Sequence, residues 1–286
     1  MFLSIGAIAY FLTVWYNPLK RDYMQEEYIL EQIKKKVGFI CDMDGVLYHG
    51  NKILPGVTEF INWMLENNKR FVFLTNSAER TPHELSMKLE RMGLQVDADH
   101  FYTSAMATAA FLSSQKPGCT AYVIGEAALT KALYDQGIYM NDVNPDYVVV
   151  GETRTYSFEK IEKAIDLVLK GAKLIGTNPD ITGPTEKGVA PATGALIAPI
   201  EIATGRKAYF VGKPNPLMLR HGLNKIDCHS SEIVFVGDRM DTDIIAGIES
   251  NVDTVLVLSG VTSIEDIDNF PFRPKYIANG VGDLVK

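Results

Sequence analysis

Cysteine is scarce in this chain: Cys41, Cys119 and Cys228 are the only three in 286 residues, widely spaced and with no CxxC pair. An odd, scattered set supplies neither a disulfide framework nor a zinc cluster, and it fits a reducing, cytoplasmic setting. Cys41 is expected to pack as a small apolar residue on a buried strand. Excess positive charge is missing too. The formal charge is −7 and the isoelectric point is near 5.3, which excludes a nucleic-acid-binding face. A small phosphorylated metabolite stays within reach, because a local cationic site can oppose the global charge. The five histidines, His49, His83, His100, His221 and His229, have no metal-ligand spacing. There is no GxxxxGK[ST] loop for a nucleoside triphosphate and no GxSxG nucleophile elbow. Internal repeats and low-complexity blocks are absent as well.

Long apolar runs are also lacking, apart from residues 1–16, MFLSIGAIAYFLTVWY. As a helix that run reaches about 24 Å, short of the ~30 Å hydrocarbon core of a bilayer. No basic residue precedes it and no A-x-A site follows it, so a secretory signal is not indicated. Residues 1–36, this run plus a polar helical stretch from Met24, are read as an N-terminal extension that the chemistry does not need. Membrane contact through residues 1–16 is one alternative, with Lys20 and Arg21 then holding the adjoining domain inside the cell, and a docking helix is the other.

From Val37 onward, short apolar runs alternate with amphipathic segments. Strands are expected at 37–41, 70–74, 121–124, 147–150, 174–176, 208–211, 233–236 and 254–258. Helices are expected between them at 57–67, 81–92, 104–114, 127–136, 157–170, 216–224 and 241–250. Repeated strand–helix units with β-branched apolar strands predict an α/β fold whose parallel sheet is covered on both faces. Turn-rich breaks at 116–118 and 204–206 divide the rest of the chain into a core, 37–116 and 207–286, and an inserted unit at 117–206. Two further turn-like stretches, 178–180 and 191–194, lie inside the insert.

The polar residues cluster where the strands end. "ICDMDG" stops at Asp42 and Asp44; "RFVFLTN" at Thr75 and Asn76; "AYFVGKP" at Lys213; "EIVFVGD" at Asp238, with Asp241 and Asp243 just beyond. Open parallel sheets bind ligands outside the carboxyl ends of their strands. Two carboxylates about 4 Å apart repel by roughly 4 kcal/mol near a protein surface, so a cation must complete the site. Asp42, Asp44 and Asp238 are hard oxygen ligands suited to Mg²⁺. With the metal and Lys213 present, the cluster becomes a receptor for a phosphate, whose oxygens Thr75, Asn76 and backbone N–H groups could hold. One aspartate can then attack phosphorus while the other moves the proton.

These motifs resemble the haloacid dehalogenase (HAD) superfamily. "DMDGVLYHG", "LTN", Lys213 and "GDRMDTD" look like its four motifs in order. The segments "FYTSAMATAA", "DVNPDYVVVGETRTY", "TNPD", "VGKPNP" and "VLVLSGVTSIEDIDNFPFRP" are similar to the NagD-like phosphatase branch. The resemblance runs from about Val37 to Pro274. It implies a Rossmann-like parallel-sheet core with an inserted α/β cap, and a Mg²⁺-dependent phosphatase working through an aspartyl-phosphate. Small phosphomonoesters are the implied substrates: nucleotides such as nucleoside 5′-monophosphates, and sugar phosphates. By resemblance Asp42 is the nucleophile and Asp44 the acid/base. Asp42, Asp44 through its carbonyl, and Asp238 would bind Mg²⁺, with Asp243 supporting the metal shell. Thr75, Asn76 and Lys213 would bind the transferring phosphoryl, with Asp44 close to it. Arg239, Asp241 and Thr242 are expected on the substrate side. By the same resemblance the insert stretches 178–180 and 191–194, if more than turns, would face the active site and select the leaving group. The triplet Arg239-Met240-Asp241 departs from the branch and looks more like phosphoglycolate phosphatase relatives, which makes phosphoglycolate or a single sugar phosphate the alternative substrate. Dehalogenase relatives lack the general-acid aspartate, so Asp44 counts against halide release. A non-catalytic metabolite-binding module of the same fold would have no use for the full set of motifs. Nothing in the sequence sets the oligomeric state.

Overall fold

The computed structural model describes residues 27–185 and 188–286. The apolar run at 1–16 lies outside the described residues; residues 27–34 are helical. Six strands form the first sheet: β1 (Gly38–Cys41), β4 (Arg70–Thr75), β5 (Phe101–Thr103), β13 (Ile233–Gly237), β14 (Asp253–Val257) and β15 (Tyr276–Ala278), in the order β15-β14-β13-β1-β4-β5. All its pairings are parallel. A second parallel sheet takes β6 (Thr120–Ile124), β7 (Tyr139–Met140), β8 (Tyr147–Val150), β9 (Lys173–Gly176) and β12 (Tyr209–Phe210), in the order β12-β9-β8-β6-β7. Two small antiparallel hairpins complete the strands: β2 (Tyr48–His49) with β3 (Lys52–Ile53), and β10 (Thr182–Thr185) with β11 (Gly188–Pro191).

The strand period of two divides the first sheet's side chains between two cores. Phe39, Cys41, Phe73, Val234 and Val236 face one side, against Phe60 and Met64 of α1 (Val57–Glu66) and Leu85 and Leu89 of α2 (Pro82–Arg91). Ile40, Val72, Leu74 and Phe235 face the other, against α3 (Ser104–Gln115) and Met218 and Leu219 of α7 (Pro216–Lys225). That second core runs on without a break into Ala121, Tyr147 and Val149 of the second sheet. Helix α3 is therefore buried on nearly every side, which explains its Ala- and Ser-rich, weakly amphipathic sequence. Helix α2 starts as its sequence indicates: Thr81 and Glu84 form a reciprocal capping box with Pro82 at the first position. α4 (Ala127–Asp135) and α5 (Phe158–Leu169) follow β6 and β8.

Three features differ from the sequence expectation. The segment 193–204, not expected to be helical, forms α6 (Thr193–Thr204) although Pro199 lies inside it. Its apolar residues surround the helix, so no amphipathic stripe marks it. The stretch expected at 241–250 as one helix opens with a π-turn at Met240–Ile244 before the short α8 (Ile245–Glu249). Finally, Tyr209–Phe210 falls in the segment expected to rejoin the core, yet it pairs with β9 at the edge of the second sheet. The chain returns to the first sheet only after Phe210, because a strand beside β9 satisfies backbone groups that the sheet edge would otherwise leave open.

Candidate active site

The sheet register assembles the expected residues. Asp42 is the first residue past β1, its N–H donating to the Val236 carbonyl at 2.8 Å. Asp238 follows β13 directly next door. Asn76 leaves β4 and grips Lys213 by its backbone: Asn76 Oδ1 accepts from the Lys213 N–H (2.8 Å) and Asn76 Nδ2 donates to the Lys213 carbonyl (3.0 Å). A side-chain amide thus imitates a strand neighbour and holds the returning chain against the first sheet.

Lys213 is 2% exposed, and its Nζ lies 2.7 Å from Asp42 Oδ1 and 2.8 Å from Asp243 Oδ1. Burial alone would lower its pKa, but the Asp243 and Asp42 carboxylates outweigh burial and hold the ammonium above the ordinary lysine range. The contact with Asp243 is an ion pair without hydrogen-bond alignment, so Asp243 Oδ1 is left without an aligned donor. Asp243 Oδ2 accepts from the N–H groups of Asp238 and Arg239, each at 3.2 Å.

Asp238 offers the clearest candidate ligand for a cation. Its Oδ2 accepts from the Val261 N–H at 2.7 Å, while its buried Oδ1 has no partner. Burial, then the Asp243 and Asp42 charges, push its carboxyl up to about 8. Burial and Asp42 likewise lift Asp243 to about 6 against the pull of Lys213. One oxygen from each of Asp42, Asp238 and Asp243 lies within 4.8 Å of the others. A buried all-oxygen set with an unpaired lone pair fits a hard divalent cation. The loops leave little room around it: a Cβ on Gly45, where φ is +78°, would stand 2.5 Å from Asp238 Oδ2.

The remaining expected residues divide. The Asp44 carboxylate stands apart from the three-acid cluster, 3.9 Å from His49 Nδ1. Burial raises its pKa, opposed by Lys88 and His49. Thr75 Oγ1 accepts from the Ser77 N–H at 3.1 Å. The Asn76 amide, expected to reach a phosphate, is instead engaged by Lys213 and by Asp180 Oδ2 at 2.9 Å. Arg239 makes a two-pronged pair with Asp241, Nε–Oδ1 3.0 Å and Nη2–Oδ2 2.8 Å, and lies 3.7 Å from Asp180 Oδ1. Thr242 is buried in the π-turn behind them.

Of the residues that face this cluster from the second sheet, sequence reasoning passed over Glu152, whereas Asn178 and Asp180 lie in the 178–180 stretch expected to face the active site. Glu152 follows β8; its Oε2 accepts from the Ala78 N–H (3.1 Å) and its Oε1 from Asn178 Nδ2 (2.6 Å). Asn178 also donates to the Asn76 carbonyl at 2.8 Å. Burial pushes Glu152 up to about 7. The usable signal was the one already applied to the first sheet. Glu152 and Asn178 are polar residues just beyond parallel strands, and the two sheets turn these edges toward each other.

A parallel sheet with two aspartates just past its first strand, a buried lysine and an aspartate cluster at its carboxyl edge is an arrangement suited to a hydrolase of the phosphoryl-transfer kind. Residues 39–139 match the family described as haloacid dehalogenase-like hydrolase, and residues 210–284 match a HAD-hydrolase-like family. Dihydroxyacetone phosphatase of Corynebacterium glutamicum is 48% identical over 248 residues, 87% of this chain and 90% of that protein. Ribonucleotide monophosphatase NagD of Escherichia coli K12 is 48% identical over 245 residues, 86% and 96% of the two chains. The solved NagD structure superimposes with a TM-score of 0.83 at 47% identity, covering 87% of this chain and 98% of that one. The chain belongs to the haloacid dehalogenase-like hydrolase family and is a phosphatase of the NagD type.

Proposed function

We propose that the protein is a Mg²⁺-dependent phosphatase of small phosphomonoesters that works through an aspartyl-phosphate on Asp42. The observation that carries this reading is Lys213, buried between Asp42 and Asp243 beside the unpartnered oxygen of Asp238. Asp42, Asp238 and the Asp44 carbonyl would hold Mg²⁺, with Asp243 behind them; when bound, the ion supplies positive charge against the phosphoryl oxygens. Lys213, Thr75 and backbone N–H groups of the strand ends hold those oxygens. An Asp42 oxygen forms a bond to phosphorus as the ester P–O bond breaks, and Asp44 gives its proton to the departing oxygen. Asp44, now ionised, takes a proton from water whose oxygen attacks the same phosphorus. The Asp42–phosphorus bond breaks and inorganic phosphate leaves. An acid that must start protonated suits a carboxyl raised by burial.

The second sheet acts as a cap over this centre, inserted between residues 117 and 210. For the leaving group, Arg239 is already neutralised by Asp241 and Asp180. A second anionic group, as in phosphoglycolate, would compete at Arg239 with the two carboxylates that already hold it. Hydroxyl groups of a ribose or other sugar could donate to the same two carboxylates, which favours nucleoside 5′-monophosphates and sugar phosphates. Relatives named for a ribonucleotide and for dihydroxyacetone support the same class. The scattered free cysteines support a cytosolic setting.

Phosphate release by the purified protein over nucleotides, sugar phosphates and phosphoglycolate, with Mg²⁺ and then with excess EDTA, tests the reading. Hydroxylated esters should turn over fastest, and chelation should abolish activity until Mg²⁺ is restored. Full activity in EDTA would sink the metal assignment, and a preference for phosphoglycolate would sink the leaving-group argument.

A further inference from the structure

A cleft of ≈ 660 Å³ lies at the amino edge of the second sheet, the edge opposite the one that carries Glu152 and Asn178. Helix α3 forms one wall through Phe111 and Gln115; the starts of β8 and β9 and the approach to β12 form the others. Four lining residues are cations, Lys116, Lys173, Arg206 and Lys207, and no lining residue is an acid. Asp146 tethers Lys116 and Glu201 tethers Lys207 from outside the cleft. The side chains of Lys173 and Arg206 have no ion-pair or hydrogen-bond partner among the described residues. In a chain of net charge −7, such a segregated group of cations is a local field for a polyanion.

The aromatic residues of the cleft add shape. Phe111 and Tyr209 stack with centroids 5.0 Å apart at 26°. Asn215 Nδ2 donates to the Tyr209 hydroxyl at 2.9 Å and holds that ring in place. Tyr209 is 45% exposed, so part of its surface is free to meet another flat ring. Stacking on such a platform is worth roughly 1–3 kcal/mol per base.

We propose that this cleft binds a nucleoside polyphosphate, its base against Tyr209 and its phosphates among Lys173, Arg206 and Lys116. Lys173 and Arg206 are unpaired among the described residues, and Lys116 and Lys207 each keep ammonium donors beyond their single carboxylate contact, so four side chains offer donors to a chain of phosphates. The volume is within the ordinary range for a ligand of this size. The site is separate from the Asp42–Lys213 centre. One of the two crossings between the sheets borders it, at residues 116–119, and its walls come from α3 of the first unit and from the second sheet. A bound nucleotide ties α3 to the second sheet and restrains the cap, so turnover slows where cap opening limits it.

The test is calorimetric titration of ATP into the full-length protein at fixed free Mg²⁺, compared with the Lys173→Glu/Arg206→Glu variant. Both residues are exposed, and the variant should keep wild-type kcat and KM for p-nitrophenyl phosphate. Removing two charged partners should weaken ATP binding at least about tenfold. ATP should also lower kcat at saturating substrate in the wild type and leave the variant unaffected. Undiminished binding in the variant, or an effect of ATP confined to KM, would locate the nucleotide in the catalytic centre and overturn the proposal. Inorganic tripolyphosphate binding as tightly as ATP would overturn the part played by Tyr209. Binding lost in the variant without any kcat effect in the wild type would support the site and overturn its coupling to the cap.

Discussion

A single lysine decides the electrostatics of this centre. Lys213 is the buried cation that touches both Asp42 and Asp243, and removing one partner of a buried ion pair costs roughly 3–5 kcal/mol. Lys213→Met is therefore expected to lower the melting temperature by about 10 °C for a chain of this size and to cut kcat by roughly 10²-fold or more. Calorimetry and a p-nitrophenyl phosphate assay check both; unchanged turnover would remove Lys213 from the phosphoryl site. The two aspartates of the first strand separate by a different measurement. Asp42→Asn should form no phosphoenzyme. Asp44→Asn keeps the nucleophile, should lose about 10²–10⁴-fold on alkyl esters, and should lose less with p-nitrophenyl phosphate, whose leaving group needs little protonation. Its aspartyl-phosphate should accumulate, because hydrolysis still requires the base. Rapid quench and mass spectrometry of the peptide spanning residues 41–45 reads this out, and label on Asp44 would reverse the roles.

Between elements, the contact that matters most joins the end of β8 to the loop after β4. Glu152 bridges the Ala78 N–H and Asn178, and burial pushes its carboxyl up to about 7 from an ordinary 4.5. A raised acid keeps its proton in the folded state where the unfolded chain has lost it. Its contribution is full below about pH 4.5 and disappears as pH rises through about 7. Glu152→Gln cannot ionise, so its melting temperature should change less than that of the wild type between pH 6 and 8, although one of the two hydrogen bonds is lost. Scanning calorimetry across that window decides it; parallel curves for the two proteins would show that Glu152 titrates normally. The difference between proteins isolates this residue from Asp238 and Asp243, which titrate in the same range.

At the scale of the whole molecule, the described part of the N-terminal extension, residues 27–36, packs on the body of the fold. Ile33 is 1% exposed in the first core, and Lys36 Nζ reaches Asp253 (2.7 Å) and the Ser231 carbonyl (2.6 Å). Lys69 Nζ in turn caps the carbonyls of Lys34 and Lys36, both at 2.7 Å. A chain starting at Met24 keeps every one of these contacts and should match the full chain in melting temperature and phosphate release. One starting at Val37 exposes the Ile33 site and should lose about 2 kcal/mol or more. Loss of activity in the Met24 form would mean that residues 1–23 support the core.

What the sequence determined by itself was everything that depends on local order along the chain. Apolar runs broken by amphipathic segments specify parallel strands with covering helices, because those periods decide which faces can be buried. Asp42, Thr75 and Asp238 were legible as candidates since each stands at or just past the end of such a run, and parallel strands bring those ends to one edge. Lys213 was legible from the same signal, although its run pairs in the second sheet. Segments without a local signature were not legible: Thr193–Thr204 is apolar all round and contains a proline, and Tyr209–Phe210 is claimed by the second sheet through pairing with β9 alone. Only the tertiary structure could decide that the Asn76 amide holds the Lys213 backbone and that Asp180, 104 residues away, would be its other partner. It also decided that the Asp238 oxygen would lack a donor and that Glu152 would lie close enough to latch the two sheets. Hydrogen bonds and charge burial depend on which groups exclude water from one another, and that is a property of the packed molecule rather than of spacing along the chain.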